Sequence, residues 1–262
     1  MKKIILITLA IVALGFISFF YYFLRQGQFW DSTSRMRVLL GSPNAEAQYL
    51  LIDPKRGEIA VYGLDNSEEV EAAYGLGKWK IGSLWKLGVQ ENKGGGEMTA
   101  KSLVRGYGLP VEGYLQYGGP VEPFSLARSL IFAKETNMYL RDRLTLAWFV
   151  LHARVSNESA LTQSTIILTA EELSAVTDGI VTITNTQNLT DRQSKAVSLL
   201  VSNLGGKVLD FSTLQDNIDQ YCSVSGKSIF AQKLAHVLNC NFTKTDDPTT
   251  HLALGNEFAK NF

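Results

Sequence analysis

From Ile4 to Leu24 the chain is apolar almost throughout, with only small or weakly polar interruptions such as Gly15 and Ser18, and the run is bracketed by Lys2, Lys3 and Arg25. Spanning a bilayer as a helix takes about 20 apolar residues, and this run is of that order. A cleavable signal peptide has a shorter core of roughly 7–15 residues followed by a small-residue cleavage site. Here the run ends instead in Phe19-Phe20-Tyr21-Tyr22-Phe23. The pattern therefore predicts an uncleaved transmembrane anchor within residues 1–26. Its lysine pair lies in the cytoplasm by the positive-inside rule, and its tyrosines lie at the outer interface. Everything after about Gly27 is then extracytoplasmic.

Past the anchor the periodicity shortens. Apolar runs at Arg37–Leu40, Tyr49–Ile52 and Ile59–Tyr62 read as strands, with Asp53-Pro54-Lys55-Arg56-Gly57 as the hairpin turn between the last two. Glycines at 94–96 precede a helical stretch from Glu97 to Tyr107, which Gly108-Leu109-Pro110 stops before a strand over Val111–Gln116. A helix opens near Pro123, at an N1-like position, and another runs from about Leu140 to Arg154 with Leu140, Leu144, Trp148 and Leu151 along one face. His152 lies within that helix and is assigned no role.

Ser, Asn and Thr crowd the stretch 155–165, which reads as a linker. Beyond it come a short strand at Ile166–Leu168 and a Thr169/Glu172 capping box. A strand over Ile180–Thr184 follows, and a second capping box, Thr190 with Gln193, opens a helix striped by Val197, Leu200, Val201 and Leu204. Strands at Val208–Phe211 and Asp219–Val224 lead to a helix over about Lys227–Leu238 capped by Ser225. Cys240–Thr243 and His251–Leu254 supply the last strands. The order β-α-β-β-α-β-β implies a small α/β sandwich with helices on one sheet. The whole is an α/β chain in three parts: the anchor at 1–26, an α/β domain at 27–160, and the sandwich domain at 161–262.

Composition narrows the function. With 25 basic and 25 acidic residues the formal charge is zero, so no basic excess points to nucleic acid. Charge is uneven along the chain, however. Acids prevail between Asp53 and Glu71, whereas bases prevail between Lys78 and Arg105, a polarity suited to presenting positive charge to an anionic ligand. The two cysteines, Cys222 and Cys240, form an even pair, which in an oxidising compartment implies a disulfide. Two cysteines without paired histidines do not make a metal site, and none is expected. Cys222 falls near the end of its expected strand and Cys240 near the start of the next. Parallel pairing alone would then hold them apart, unless the second strand pairs low or Cys240 lies on the connection. Gly226-Lys227-Ser228 has the ending of a phosphate-binding loop, but Tyr221 stands where that loop needs its first glycine.

From about Val181 onward the chain resembles the C-terminal domain of the LytR family of envelope proteins. The resemblance is carried by Val181-Thr182-Ile183-Thr184-Asn185, Leu204-Gly205-Gly206-Lys207-Val208, Ala235 and Leu238 before Cys240, and the closing His251-Leu252-Ala253-Leu254-Gly255-Asn256-Glu257-Phe258. The preceding part is similar to the LytR-CpsA-Psr catalytic domain. The matching pieces are Val38-Leu39-Leu40-Gly41, Tyr74-Gly75-Leu76-Gly77-Lys78-Trp79-Lys80 leading to Leu84-Trp85-Lys86-Leu87-Gly88, Gly94-Gly95-Gly96-Glu97, and Tyr107-Gly108-Leu109-Pro110-Val111-Glu112-Gly113-Tyr114. The resemblance implies a membrane-anchored phosphotransferase on the outer membrane face. Such an enzyme moves an anionic polymer from a polyprenyl-pyrophosphate carrier to peptidoglycan.

That chemistry needs arginines on the phosphates and carboxylates for a divalent cation or a proton. In the family they sit after the first strand, in an Arg-Asp pair, and in a Pro-Arg-Asp run. Here those places hold Ser42, Asn44-Ala45 and Gly63-Leu64-Asp65, so only Asp65 survives. Two principal readings follow, with a third beside them. One is a non-catalytic, membrane-tethered binding or scaffolding member of the family, with membrane, peptidoglycan, anionic polymer or polyprenyl-phosphate lipid as partners. The other is an active transferase using Asp65 as the catalytic group with Lys78, Lys80 and Arg105 as ligand-binding bases, the one reading in which Mg²⁺ is a candidate cofactor; no cofactor is otherwise evident. A third is an anchored α/β protein unrelated to the family.

Overall fold

The computed structural model describes residues 2–25, 29–161, 179–186, 189–214 and 221–262, leaving aside the side chains of 2–10, 23–25, 159–161, 186 and 214. Helix α1 spans Lys2–Arg25. Its described side chains cover only 11–22, where Phe16, Phe19 and Tyr22 are exposed. Among the described residues no helix is long and apolar enough to cross a membrane.

Strands β1 (Met36–Ser42), β2 (Ala45–Asp53) and β3 (Glu58–Leu64) form an antiparallel meander. After the short hairpin β4 (Glu69–Glu71) and β5 (Lys78–Lys80) come helices α2 (Ile81–Gln90) and α3 (Gly95–Tyr107). Strand β6 (Gly113–Gln116), helices α4 (Pro123–Ile131) and α5 (Leu140–His152), and strand β7 (Arg154–Leu161) complete the first unit. The sheet order is β6-β1-β2-β3-β7, with β6 parallel to β1 and β7 parallel to β3. Strand side chains alternate faces. Val38 and Leu40 therefore pack on α4 and α5 with Leu126, Leu130, Leu146 and Val150, while Leu39 packs on α2 and α3 with Leu84, Trp85 and Met98. That burial on both faces explains the unbroken apolar run in β1. Trp85 lies so close to the backbone that a Cβ on Gly41 would stand 2.5 Å from its ring.

The second unit begins with β8 (Gly179–Thr186), α6 (Asp191–Asn203) and β9 (Gly206–Leu214). It continues through β10 (Cys222–Gly226), α7 (Ile229–Leu238), β11 (Asn241–Lys244) and β12 (Thr250–Leu254), and ends in α8 (Asn256–Asn261). The sheet order is β11-β10-β12-β8-β9. One core unites Val181, Ile183, Val224 and Leu252 with Leu200 of α6 and Leu234 of α7, so the helices share one face of the sheet. The Thr190–Gln193 capping box forms in both directions.

Several expected boundaries move. Of the stretch read as a linker, 155–161 belongs to β7, whose Ser156 and Asn157 lie in a parallel ladder against β3, and 162–165 lie outside the described residues. The sixth strand starts at Gly113 and not Val111, and the helix after Tyr139 ends at His152. The cap of α7 is Ser228, whose hydroxyl accepts from Ala231 N, not Ser225, which remains in β10. The expected strand at 166–168 and the Thr169/Glu172 box lie outside the described residues. Cys222 and Cys240 are joined by a disulfide with Cα atoms 4.9 Å apart. The geometric conflict disappears because Cys222 opens β10 rather than closing it. With Ser223 paired to Asn241, the parallel register sets Cys222 beside Cys240.

Candidate functional site

The parallel strands β1 and β6 end together, and the carboxyl ends of strands are where ligands settle in open α/β sheets. A cavity of about 280 Å³ lies there, lined by Ala45, Glu46, Gln48, Tyr117, Gly118 and Pro120 among others. Ala45, at one of the places where the resemblance expects a charged group, lines it, and Ser42, at another, lies beside Gly118 of the lining. A Cβ on Gly118 would stand 2.9 Å from Ser42 Oγ. Glu46 is the charged side chain in this lining, and its sign repels phosphate. A hard divalent cation takes six or more oxygen ligands, carboxylates among them. Mg²⁺ is usually held by one or two carboxylates with waters and substrate phosphates completing its shell, and this lining offers the Glu46 carboxylate alone. Among the described residues no group of three or more His, Cys, Asp or Glu is placed to hold a metal ion.

The residues expected to carry chemistry have separate local duties. Asp65 is exposed after β3 and accepts from Ser67 N at 2.9 Å and Ser67 Oγ at 2.6 Å, which hold its carboxyl below the usual range. It caps a turn. Lys78 and Lys80 are exposed on β5, opposite Glu71 and Glu69 of β4, a cross-strand charge pairing that steadies the hairpin. Arg105 Nη2 binds Glu71 Oε1 at 2.8 Å, and the other oxygen of Glu71 holds Arg192 Nη1 at 2.6 Å. Glu71 thereby bridges Arg105 of α3 to Arg192 of α6. The contacts of Asp65, Lys78, Lys80 and Arg105 do not assemble them into one site.

A second cleft, of about 240 Å³, opens between the two units. Glu97, Lys101 and Tyr114 line it from the first, and His236 and Asn239 from the second, with Asn137 between them. Its floor is a closed network. Tyr74 Oη donates to Glu97 Oε1 at 2.7 Å and accepts from Lys101 Nζ at 2.8 Å, and Lys101 also pairs with Glu97 at 2.8 Å. Tyr74 is held at φ 62°, a left-handed conformation that costs a non-glycine residue about 1–2 kcal/mol. Burial alone would raise the Glu97 carboxyl, but hydrogen bonds from Lys101 and Tyr74 and the charges of Lys101 and Lys93 hold it below the ordinary range. Burial pushes the Tyr114 and Tyr221 phenols up to about 12, with Glu97 adding to both.

His236 completes the wall. Burial disfavours its cation and lowers its pKa. Its Nε2 lies 3.2 Å from Asn137 Nδ2, while Asn137 Oδ1 accepts from Tyr114 N at 2.8 Å. Both printed contacts of Glu97 fall on Oε1, and the His236 imidazole, held neutral by burial, stands against the Asn137 amide. The arrangement is suited to holding a polar ligand against aromatic walls.

Behind the cleft the units are joined by buried charge. Glu112 is fully buried, and its carboxylate meets Arg37 N at 2.8 Å, Arg37 Nη1 at 3.4 Å and Lys233 Nζ at 2.8 Å. Lys233 also donates to Arg35 O, Arg37 Nη2 to Asn203 O, and Asn203 Nδ2 to Gly108 O. Gly108 sits at φ 61° as the left-handed cap of α3, where a Cβ would press Leu199 of α6 at 2.8 Å. Sequence reasoning did not single out Tyr74, Glu97, Asn137 or His236. Tyr74, Glu97 and Asn137 are scattered along the first unit and meet through its fold, and packing against the second unit brings His236 to Asn137.

The chain is similar in structure to members of the LytR-CPS2A-psr family. One is a LytR-CPS2A-psr family protein, YwtF (TagT), with bound octaprenyl pyrophosphate lipid, 13% identical over 50% of this chain and 79% of that one, with a TM-score of 0.36. The others are B. subtilis TagT, 13% identical over 89% and 90% with a TM-score of 0.29, and TagT bound to LIIa-WTA, 15% identical over the same shares with a TM-score of 0.28. No family profile matches the chain, and neither does any curated protein sequence.

Proposed function

We propose that this protein is a membrane-tethered, non-catalytic binding or scaffolding module of cell-envelope assembly, with its body outside the cytoplasm. The observation that carries the reading is the electrostatics at the carboxyl ends of β1 and β6, where Glu46 stands and no arginine or lysine lines the cavity. A pyrophosphate group there would meet repulsion in place of the cationic clamp that phosphoryl transfer requires. Two further features support it. The space between the sheet and α2 is filled by Trp85 against Gly41 and Gly95, leaving that face closed to an isoprenoid tail. The Cys222–Cys240 disulfide accords with an oxidising compartment, and the apolar run from Ile4 to Leu24 accords with a tether. The partners in this reading are the membrane and a wall component, peptidoglycan or an anionic polymer, engaged through the cleft between the units.

The test is a phosphate-release assay with the full chain in detergent, a polyprenyl pyrophosphate and Mg²⁺. Release at the level of the protein-free blank is expected, unchanged by Asp65→Ala. Robust release abolished by Asp65→Ala would establish the transferase instead. A reporter active only outside the cytoplasm, fused after Phe262, is expected to give signal, and silence there with signal from a fusion before Lys2 would reverse the topology.

A further inference from the structure

Helices α4 and α5 lie side by side on the first sheet and bury Leu126, Ala127 and Leu130 with Leu146, Ala147 and Val150. Helical periodicity turns the opposite stripes of both helices away from the sheet. Those stripes are not polar. Phe124 is 75% exposed, Phe132, just past α4, 73%, and Trp148 69%, and Ile131 and Leu151 are also exposed. Arg128 is interleaved among them on α4 and the half-buried Arg141 on α5, with His152 packed on Trp148 at 4.5 Å between ring centroids and Glu122 as the acid at the entry to α4. Large aromatic side chains grouped on a surface mark a contact site. Trp and Phe mixed with arginine is the composition of faces that lie in a lipid headgroup region.

Position decides what covers this face. Phe29 N and Trp30 N donate to Asp142 in the first turn of α5 at 3.4 and 3.3 Å. Helix α1 ends at Arg25. Four residue steps reach at most about 14 Å, so the start of α5 lies within that reach, plus one hydrogen bond and the Asp142 side chain, of the end of α1. Trp148 follows Asp142 by about 9 Å along the helix. If α1 is the tether, as proposed above, this face is confined beside the bilayer.

We propose that the outward face of α4 and α5 docks on the membrane surface next to the tether. Phe124, Phe132 and Trp148 enter the interfacial layer, and Arg128 and Arg141 meet lipid phosphates, an attraction that anionic lipid strengthens. The body then lies against the membrane with a fixed orientation and does not swing freely on its stalk.

The experiment uses the full chain reconstituted in vesicles of phosphatidylglycerol and phosphatidylcholine, with and without brominated acyl chains. The Trp148 signal is isolated by subtracting the emission of Trp148→Phe. At least a twofold loss of that signal in brominated vesicles is expected, together with protection from iodide in the water. Phe124→Ser/Phe132→Ser, both at exposed positions and checked for folding by circular dichroism, is expected to restore most of it. Trp148 emission unaffected by bromine in a chain that resists alkaline carbonate extraction would overturn the docking and leave the tether standing. Carbonate extraction of the chain would remove the tether, and the docking with it. Iodide protection without bromine quenching, rising with protein concentration, would assign the face to a second copy and overturn the lipid contact.

Discussion

Phe29 lies flat on His236, with ring centroids 4.1 Å apart and planes inclined by 16°. The two residues come from opposite ends of the chain, and the same Phe29 gives its backbone N–H to Asp142. One residue thus touches α5 of the first unit and α7 of the second. Phe29→Ala is expected to destabilise the protein by about 3 kcal/mol, the low end for deleting a buried aromatic ring. Urea unfolding followed by tryptophan fluorescence reads this, and an unchanged midpoint would mean the clasp does not hold the units together.

The two titrating neighbours of Phe29 should pull stability in opposite directions with pH. Burial lowers the His236 pKa, with the carbonyl and charge of Glu112 opposing it weakly. Unfolded histidine titrates near 6.5, so below that the unfolded chain binds the extra proton, and stability falls as pH drops from about 6.5 through the lower folded value. Burial raises the Asp142 pKa to about 6, against the N–H groups of Phe29 and Trp30. Between about 4 and 6 the folded state holds that extra proton, so this contribution declines as pH rises through the window. Thermal melts from pH 4 to 8 should show His236→Asn losing less stability on acidification than the parent. Asp142→Asn should lack the decline between 4 and 6, and superimposable profiles would refute both assignments.

Removing one member of a buried charge cluster strands the others, at about 3–5 kcal/mol. Glu112→Gln should fall in that range because Lys233 and Arg37 lose their counter-charge. Lys233→Met in the same background should add far less than it does alone, a non-additivity that a double-mutant cycle measures. Additive effects would show that Glu112 and Lys233 are not coupled.

Cys222→Ser with Cys240→Ser opens a loop of sequence separation 18 and should cost about 3 kcal/mol in the chain-entropy model. Alkylation of the unreduced, denatured parent should label neither thiol. Mass spectrometry finding both labelled would rule out the bridge.

What the sequence disclosed were features with a local cause. The meander was legible because Asp53–Gly57 combines turn formers between apolar runs, and α6 because Thr190 and Gln193 cap each other within one turn. Helix α2 escaped notice, since Gly82 and Gly88 dilute its pattern. Both glycines are needed for close packing, Gly88 against Gly94 and Met98. Strand β7 was hidden by its polar composition, because its place is set by backbone pairing to β3 and not by its side chains. The cleft was invisible for a different reason. Glu97 and Lys101 are one helical turn apart and readable as a pair, but Tyr74 and Asn137 reach the cleft only through the fold of the first unit, and His236 only through packing between units.

The clasp at Phe29 also determines how the body would respond to a pull. Tension travelling along the chain from Arg25 first meets the ring stack on His236 and the two N–H bonds to Asp142, so the load divides between both sheets at once. Were that clasp to yield, the next element in line is β1, which is flanked on one side by β2 and on the other by β6. An edge strand unzips one bond at a time. A strand hydrogen-bonded on both sides, as β1 is to β2 and β6, must shear along two ladders together, so the chain enters the body at a strand that a pull cannot peel away bond by bond.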